Sequence, residues 1–296
     1  MKRLLGLLLA AVLMTGGARA ADVLLYLNFD QAADGVYSDN TAYTPGSTEI
    51  VNPAVAGLGT MDIFFRNFSG DGPAIGPLPI GLTGTAQGGK ALLLNSGSGQ
   101  SEGMQARVTN GLALTEDLTL EAIWWTVTPS GGSNTAGIQS PLGNEWPFGQ
   151  RCQFFIRTVG ASRMDWWSDR GDSNSERVLE TTTILANRLY HDVLVFDYND
   201  GNPANSQILA YRDGSLVGTS VYDASAASFA FFSQGFLGER RVAIGFANGQ
   251  DANPSDHRGV DGGVDAIAIS RGVRTPANFF LPAGAPAAVK DWALFN

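Results

Sequence analysis

The sequence predicts an all-β protein, either a two-sheet sandwich or a barrel. Many short runs of β-favouring residues follow one another along the chain, and clusters of turn residues such as Gly97-Ser98-Gly99 and Asp213-Gly214 separate them. Beyond residue 20, no long segment keeps apolar residues at helical spacing. Short strands joined by glycine-rich turns are typical of two packed antiparallel sheets or of a closed barrel.

The candidate strands follow in order, each bounded by turn residues. The first strand ends at Asp30. A hairpin turn at Asp213-Gly214, a pair that tolerates positive φ angles, joins the strands expected at 207–211 and 216–222. Residues 30–60, 69–89 and 128–150 are expected to be long loops. The strands are expected at residues 23–29, 61–68, 90–95, 104–109, 118–127, 152–159, 162–168, 177–183, 190–197, 207–211, 216–222, 241–247 and 263–270.

The amino terminus, residues 1–20, has the pattern of a secretory signal peptide. Lys2 and Arg3 precede an apolar run of about ten residues, and Ala18-Arg19-Ala20 supplies small residues at a cleavage site. The run is too short for a membrane span, which needs about 18 apolar residues. We therefore expect a secreted or periplasmic protein, bacterial in the style of its signal, with no membrane span.

Composition excludes several function classes. The chain of 296 residues has 28 Asp plus Glu against 19 Lys plus Arg, a net charge of −9, which disfavours a nucleic-acid partner. Its 44% hydrophobic content excludes a disordered chain. Cys152 is the single cysteine, so core burial rather than an internal disulfide must stabilise the fold. One large domain suits this length.

The stretch from Tyr190-His191-Asp192-Val193 to Asp213-Gly214-Ser215-Leu216-Val217-Gly218 resembles the laminin G-like, concanavalin A-like jelly-roll family. The opening strand into Phe29-Asp30, the segment Gly89-Lys90-Ala91-Leu92 and the closing strand around Asp265 also resemble landmarks of that family. The resemblance implies a two-sheet antiparallel jelly-roll sandwich over residues 21–280, with 281–296 as a C-terminal tail. The segment between Asp30 and Gly89 is longer than the family pattern.

Catalytic patterns are weak in this chain. Only His191 and His257 could serve in a nucleophilic triad, and His191 lies inside a strand at a position that matches the family, which favours a structural role. Glycosidases on related jelly rolls use a Glu-x-Asp-x-x-Glu strand, and Glu121 is the only acid within the strand 118–127. Lyase motifs of this fold are also missing. An enzyme is therefore the less favoured interpretation.

The resemblance implies a place for a structural Ca²⁺ ion. Asp30 ends the first strand and Asp265 lies in the last one, and the terminal strands of such sandwiches often run side by side. Two carboxylates together with loop carbonyls would supply the oxygen ligands that Ca²⁺ prefers. Turn-capping surface aspartates are the alternative.

Tryptophan residues suggest a ligand site. In Trp166-Trp167, as in Trp124-Trp125, adjacent residues lie on opposite faces of a strand, so one is expected in the core while the other can stack on a sugar ring. Trp146 is a loop tryptophan, and Asp169 and Asp172 follow Trp167 closely enough to hydrogen-bond sugar hydroxyls. Core packing of both members is the alternative.

Together these patterns predict a secreted, non-catalytic binding or adhesion protein whose partner is a glycan or a cell-surface protein. The candidate ligand-binding residues are Trp146, Trp166, Trp167, Asp169 and Asp172, and the candidate metal ligands are Asp30 and Asp265. The alternatives are a polysaccharide hydrolase or lyase on the same fold and a structural component of a surface assembly.

Overall fold

The computed structural model describes residues 22–67, 71–95, 102–110, 112–113, 116–129, 138–144, 154–159, 162–169, 175–226, 230–231, 240–245 and 259–281. Nineteen strands run through these residues, joined by turns and short 3₁₀ segments. They are β1 (Val23–Leu27), β2 (Gly35–Val36), β3 (Ile50–Val51), β4 (Met61–Asn67), β5 (Ala74–Pro77), β6 (Lys90–Asn95), β7 (Glu102–Val108), β8 (Leu112–Ala113), β9 (Leu118–Thr126), β10 (Ile138–Asn144), β11 (Phe154–Val159), β12 (Arg163–Asp169), β13 (Ser175–Thr181), β14 (Tyr190–Asp197), β15 (Ser206–Arg212), β16 (Ser215–Tyr222), β17 (Ala230–Phe231), β18 (Arg240–Ile244) and β19 (Asp261–Arg271).

The strands form an antiparallel jelly-roll sandwich of two sheets, as the sequence predicts. The ten-stranded sheet has the order β16-β15-β14-β9-β19-β6-β5-β2, with β1 and β3 added beside β19. The seven-stranded sheet has the order β13-β12-β11-β10-β18-β7-β4, and β8 pairs with β17 separately. Strands adjacent in space are often distant in sequence, so the two sheets form a jelly-roll sandwich rather than a meander.

Period-two alternation builds the core between the sheets. On β9, Leu118, Leu120, Ala122 and Trp124 face inward, and Trp166 of the seven-stranded sheet joins the same buried cluster. The alternate residues of β9 lie on the outer face of the ten-stranded sheet. They are buried as well, because a second apolar cluster that includes the C-terminal Phe280 and Leu281 covers them.

Strand β10 lies where the sequence predicts a loop. It includes Pro141 and Gly143, which disfavour strands, yet it pairs with both β11 and β18. Its register with β11 shifts between Gln139 and Leu142, and proline is tolerated at such irregularities. The loops expected at 30–60 and 69–89 likewise contain the short strands β2, β3 and β5.

The long last strand, β19, positions the most distinctive site of the fold. Its first half pairs with β6 and its second half with β1, so the end of β1 and the start of β6 meet on one edge of β19. The register of β19 against β9 shifts between Val264 and Ala266, which makes Asp265 the extra residue of a bulge at that meeting point. Bulges of this kind redirect a side chain. No helix among the described residues has the length and apolar character of a membrane span.

Candidate functional site

Asp30 and Asp265 lie at the seam where β1, β6 and β19 meet, and both carboxylates hold the segment that leads into β6. Asp30 Oδ1 accepts hydrogen bonds from the backbone N–H groups of Gly89 (2.7 Å) and Lys90 (3.0 Å). Asp265 Oδ2 accepts one from the backbone N–H of Gln87. The fold thus brings together two acids that are more than 230 residues apart in sequence, and we name this group with Gln87 the seam cluster.

Burial dominates the electrostatics of the seam cluster. Asp265 is fully buried, and this desolvation raises its pKa from its ordinary value to about 7, with a smaller contribution from the charge of Asp30. Burial also raises the pKa of Tyr26, whose hydroxyl accepts a hydrogen bond from Gln87 Nε2, to about 12. Two oxygens in this cluster, Asp265 Oδ1 and Gln87 Oε1, are buried without a hydrogen-bond partner. A buried polar atom without a hydrogen-bond partner lowers the stability of the fold unless a ligand or ion binds it.

Neighbouring residues hold the seam cluster in shape. The Glu49 carboxylate accepts hydrogen bonds from the backbone N–H groups of Asn28 (2.9 Å) and Phe29 (2.8 Å), which fixes the turn into Asp30. Phe29 itself has φ 60°, an unusual conformation for a bulky residue that this support maintains. A Cβ atom at Gly88 would clash with the Asp30 carboxylate, so any larger residue there would displace that carboxylate.

The donor set of the seam cluster is oxygen only. Within the described part of the chain, no three His, Cys, Asp or Glu residues come together as a metal-binding group. Two carboxylates and the Gln87 amide oxygen are nevertheless hard oxygen ligands, the kind that suits Ca²⁺ rather than zinc. The orphaned Asp265 oxygen is consistent with a cation at this position.

The outer face of the seven-stranded sheet carries a continuous register row that crosses all seven strands. In this row, aromatic residues lie on β11 and β12, the smallest residues lie in the middle on β10 and β18, and a glutamine lies on β7. The row, which we call the outer row, consists of Phe64, Gln105, Ala243, Gly143, Phe155, Trp167 and Arg177. Its positions alternate with core residues, so the outer row belongs to the face turned away from the core.

Polar side chains surround the described end of the outer row. Gln105 Oε1 accepts hydrogen bonds from Arg66 Nη1 (2.6 Å) and Arg107 Nε (3.0 Å). Arg66 Nε also donates to Asp39 Oδ1 at 2.9 Å, and the Arg107 guanidinium lies 4.6 Å from the centroid of the Phe64 ring. Gln105 is fully buried, unusual for a polar residue that faces away from a core.

The predicted ligand-binding residues lie in different environments. Trp166 is fully buried among the core residues, so the prediction that it contacts ligand is wrong: strand alternation turns it inward between the sheets. Its neighbour Trp167 occupies the outer row, in register with Phe155 and Arg177. Asp169, at the end of β12, pairs in register with Ser175. Trp146, Asp172 and His257 lie outside the described residues.

His191 and Glu121 lie on the outer face of the other sheet, beneath the segment 272–281, which we call the C-terminal strap. Glu121 Oε1 accepts the backbone N–H of Phe280 at 2.8 Å, and Oε2 accepts that of Leu281 at 2.9 Å. His191 Nε2 is 3.3 Å from Glu121 Oε2. Both side chains are buried, which agrees with the structural role expected for His191.

Sequence reasoning did not identify a buried ion pair inside the core. Arg212 donates from Nε to Asp192 Oδ1 at 2.8 Å and from Nη2 to Asp192 Oδ2 at 3.1 Å, while Trp124 Nε1 donates to the same carboxylate at 2.7 Å. The Arg212 guanidinium also lies over the Tyr190 ring, 4.6 Å from its centroid. The nearby charge of Asp192 raises the pKa of Arg212 despite its burial. These polar groups satisfy one another and leave no evident role in binding.

An acidic cavity of about 530 Å³ lies at one end of the ten-stranded sheet, also unexpected from sequence. Glu116, Asp117 and Asp200 line it, and Arg271 forms an ion pair with Glu116 there. Burial raises the pKa of Asp117, and the neighbouring acids raise it further. Asp117 Oδ1 accepts the backbone N–H of Tyr198 at 2.8 Å.

No protein-family model and no curated protein sequence matches this chain. Among solved structures, it is similar to the CBM40 module of the Ruminococcus gnavus IT-sialidase bound to α2,3-sialyllactose, at 17% identity over 54% of this chain and 78% of that one, with a TM-score of 0.39. It is also similar to the family 7 alginate lyase A1-II′, at 11% identity over 88% of this chain and 99% of that one, with a TM-score of 0.38. A botulinum neurotoxin serotype D binding domain shares 7% identity over 85% of this chain and 47% of its own length, with a TM-score of 0.38. Likenesses this distant carry no inference about a ligand, and the jelly-roll assignment rests on the strand order.

Proposed function

We propose that this protein is a non-catalytic glycan-binding protein whose binding surface is the outer face of the seven-stranded sheet. The observation that carries the proposal is the outer row. Its centre consists of Gly143 and Ala243, which fill little space, and aromatic residues occupy the adjacent positions 155 and 167. Small residues in register with aromatic ones suit a sugar chain, because pyranose rings stack on aromatic faces.

The polar residues beside the outer row support the same function. Gln105 and Arg66 are almost completely buried, yet they lie on the face turned away from the core. The hydrogen bond from Arg66 Nη1 to Gln105 Oε1 holds both side chains in one arrangement. A few preorganised polar groups within an otherwise apolar surface are what orient a bound ligand.

The proposal favours binding over cleavage. His191, the histidine that the structure describes, lies under the C-terminal strap on the other sheet, bonded to Glu121, and not beside the outer row. Asp165, an acid at an outward position of β12, is fully buried and ion-paired with Arg163 rather than placed as an acid or base for hydrolysis or elimination. The sequence resemblance to laminin G-like proteins and the signal-like residues 1–20 support a secreted or periplasmic binding protein of that type.

We further propose that the seam cluster holds a structural Ca²⁺ ion. Asp265 Oδ1 and Gln87 Oε1 are the buried oxygens without partners, and Asp30 lies close enough for its charge to raise the pKa of Asp265. A divalent cation would neutralise the two carboxylates and satisfy the orphaned oxygens. Its chemistry there would be electrostatic, linking the end of β1 to the start of β6 and to the bulge of β19.

A glycan array tests the binding function directly. The chain from residue 21 onward is screened with Ca²⁺ and with chelator, alongside Trp167→Ala and the control Val36→Ala, an exposed valine of the other sheet. We expect binding by the parent chain and the control, and roughly tenfold weaker binding by Trp167→Ala, equivalent to about 1.4 kcal/mol. Absence of binding to every glycan by the folded protein would refute the function, and equal binding by Trp167→Ala would refute the site.

A further inference from the structure

Strand β16 is an edge strand of the ten-stranded sheet. It runs from Ser215 to Tyr222 and, within the described part of the chain, pairs only with β15. An edge strand presents backbone N–H and C=O groups on its free side, and these groups can form hydrogen bonds with a strand of another chain. The sequence of β16 includes no charged residue and no proline, the residue types that usually prevent such pairing.

The other edges of the two large sheets are short, covered or charged. In the ten-stranded sheet, the edge strands β2 and β3 have two residues each. On the edge strand β4, Phe65 N donates to Thr41 O and Tyr43 N donates to Ile63 O, both at 2.8 Å, so another segment covers that edge. The edge strand β13 has three charged residues among its seven. Among the described edge strands of these sheets, β16 alone is both long and uncharged.

The inner side of β16 is held in place by the core. Tyr222 is fully buried, and its ring packs edge-on against Phe196 with the two centroids 5.3 Å apart. Val217 packs against the same core cluster, and a Cβ atom at Gly218 would lie 3.0 Å from Val178 Cγ1 of β13. Because β16 is already fixed by these contacts, pairing on its free side orders few additional groups and costs little conformational entropy.

Two large apolar side chains of β16 are exposed on the outer face of the ten-stranded sheet. Leu216 keeps 54% of its surface exposed, and Val221 keeps 58%. Leu216 lies opposite Tyr211 and Val221 lies opposite Gln207, with the extra residue of a bulge at Val217 between them. The two β15 positions alternate with core residues, so Leu216 and Val221 share the outer face near opposite ends of β16.

The residue pattern of β16 is complementary to itself. Thr219 is exposed near the middle of the strand, between Gly218 and Ser220. Antiparallel pairing about a two-fold axis at Thr219 would bring Leu216 of each copy beside Val221 of the other on the same face. Small residues would then meet at the centre and apolar residues at both ends. No like charges oppose each other within the strand pair, although the whole chain has a net charge of −9.

We propose that two copies of this chain associate through β16, which pairs antiparallel with β16 of the second copy and joins the two ten-stranded sheets into one. The two-fold axis of such a pair is perpendicular to the sheet, so both seven-stranded sheets lie on the same side of the dimer. On the proposed function, the dimer therefore presents two glycan-binding faces to one surface, which increases avidity. The association itself does not depend on that function.

Sedimentation velocity tests this proposal on the chain from residue 21 onward, in the absence of glycan. Over loading concentrations from about 1 to about 200 μM, we expect a monomer that converts to a dimer with a dissociation constant on the order of 10 μM. A monomer at every concentration would overturn the proposal and leave the free side of β16 to a strand of another protein. Since no glycan is present, this outcome is independent of glycan binding.

Charge variants at Thr219 locate the interface, because the two-fold axis places this residue opposite its own copy. Thr219→Lys and Thr219→Glu should each weaken the dimer about tenfold, since like charges then face each other. An equimolar mixture of the two variants should form a heterodimer about as tight as the parent dimer. Val36→Lys, at an exposed position of the edge strand β2, is the matched control and should dimerise like the parent.

Circular dichroism establishes that each variant is folded. Leu216→Lys, which removes an apolar contact at both ends of the strand pair, provides a second test should a Thr219 variant not fold. An unaffected dimer in Thr219→Lys, a dimer lost in Val36→Lys, or a mixture of the two Thr219 variants that stays monomeric would each overturn the proposal.

Discussion

The two sheets of the sandwich bury their inner faces in the same way but use their outer faces differently. On the ten-stranded sheet, Ile123, Trp125 and Ala268 are fully buried beneath the apolar residues of the C-terminal strap. On the seven-stranded sheet, the outer row combines three aromatic residues and two small ones with Gln105 and Arg177. One outer face is closed by the chain's own C-terminal segment, and the other combines aromatic and small residues with a few polar ones.

Polar side chains on the two outer faces differ in the groups to which they bond. The polar atoms of Glu121 on the closed face bond to backbone N–H groups of the same chain and to His191, so they are satisfied internally. Buried acids used in this way contribute stability and have nothing left to offer a ligand. On the other outer face, the side chain of Gln105 bonds to the side chains of Arg66 and Arg107 rather than to a covering backbone segment.

The largest expected effect on stability follows from removing the Glu121 carboxylate, which bonds to the C-terminal strap. Glu121→Ala leaves the backbone N–H groups of Phe280 and Leu281 buried without acceptors, and we expect the free energy of unfolding to fall by about 3 kcal/mol. Urea denaturation measures it. The control is Glu116→Ala, which removes a half-exposed acid paired with Arg271 and should cost less than about 1 kcal/mol. Equal losses in the two variants would show that the strap contact is unimportant.

Asp265, on the last strand of the ten-stranded sheet, has one buried oxygen without a hydrogen-bond partner. In chelator at pH 8, Asp265→Asn should be at least as stable as the parent, since it removes a buried and uncompensated charge. Added Ca²⁺ should stabilise only the parent, by about 2.7 kcal/mol at a hundredfold excess over the dissociation constant. Thermal unfolding with and without the ion measures both effects. Equal stabilisation of both proteins by Ca²⁺ would exclude the seam cluster as the site.

A smaller change in stability is expected from a substitution on the outer face of the seven-stranded sheet. Gln105→Ala removes the oxygen that accepts from Arg66 and Arg107, and we expect a loss of about 1–2 kcal/mol together with weaker glycan binding. Gln207→Ala, at an exposed position of β15, is the control and should change neither property. If Gln105→Ala loses stability but keeps full affinity, the Gln105 network serves the fold rather than the ligand.

Most of the framework follows from local pattern. All thirteen predicted strands coincide broadly with observed ones, because alternation of apolar residues directly reports a sheet with one buried face. Strand β10 was missed because Pro141 and Gly143 argue locally against it, and only pairing with β11 and β18 stabilises it. Among site residues, Trp166 was assigned wrongly because alternation identifies two faces without identifying which one is the core.

The sequence by itself determined the all-β class, the position of most strands and the two acids at either end of the domain, since composition and period-two patterning are local properties. Only the tertiary structure decided which outer face would be covered, because Glu121 meets the C-terminal strap about 160 residues further along the chain. The same holds for Gln87, Gln105, Arg66 and Arg107, which carry no motif of their own. Strand order and register determine where these residues lie relative to one another, and both depend on contacts between segments that are far apart in sequence.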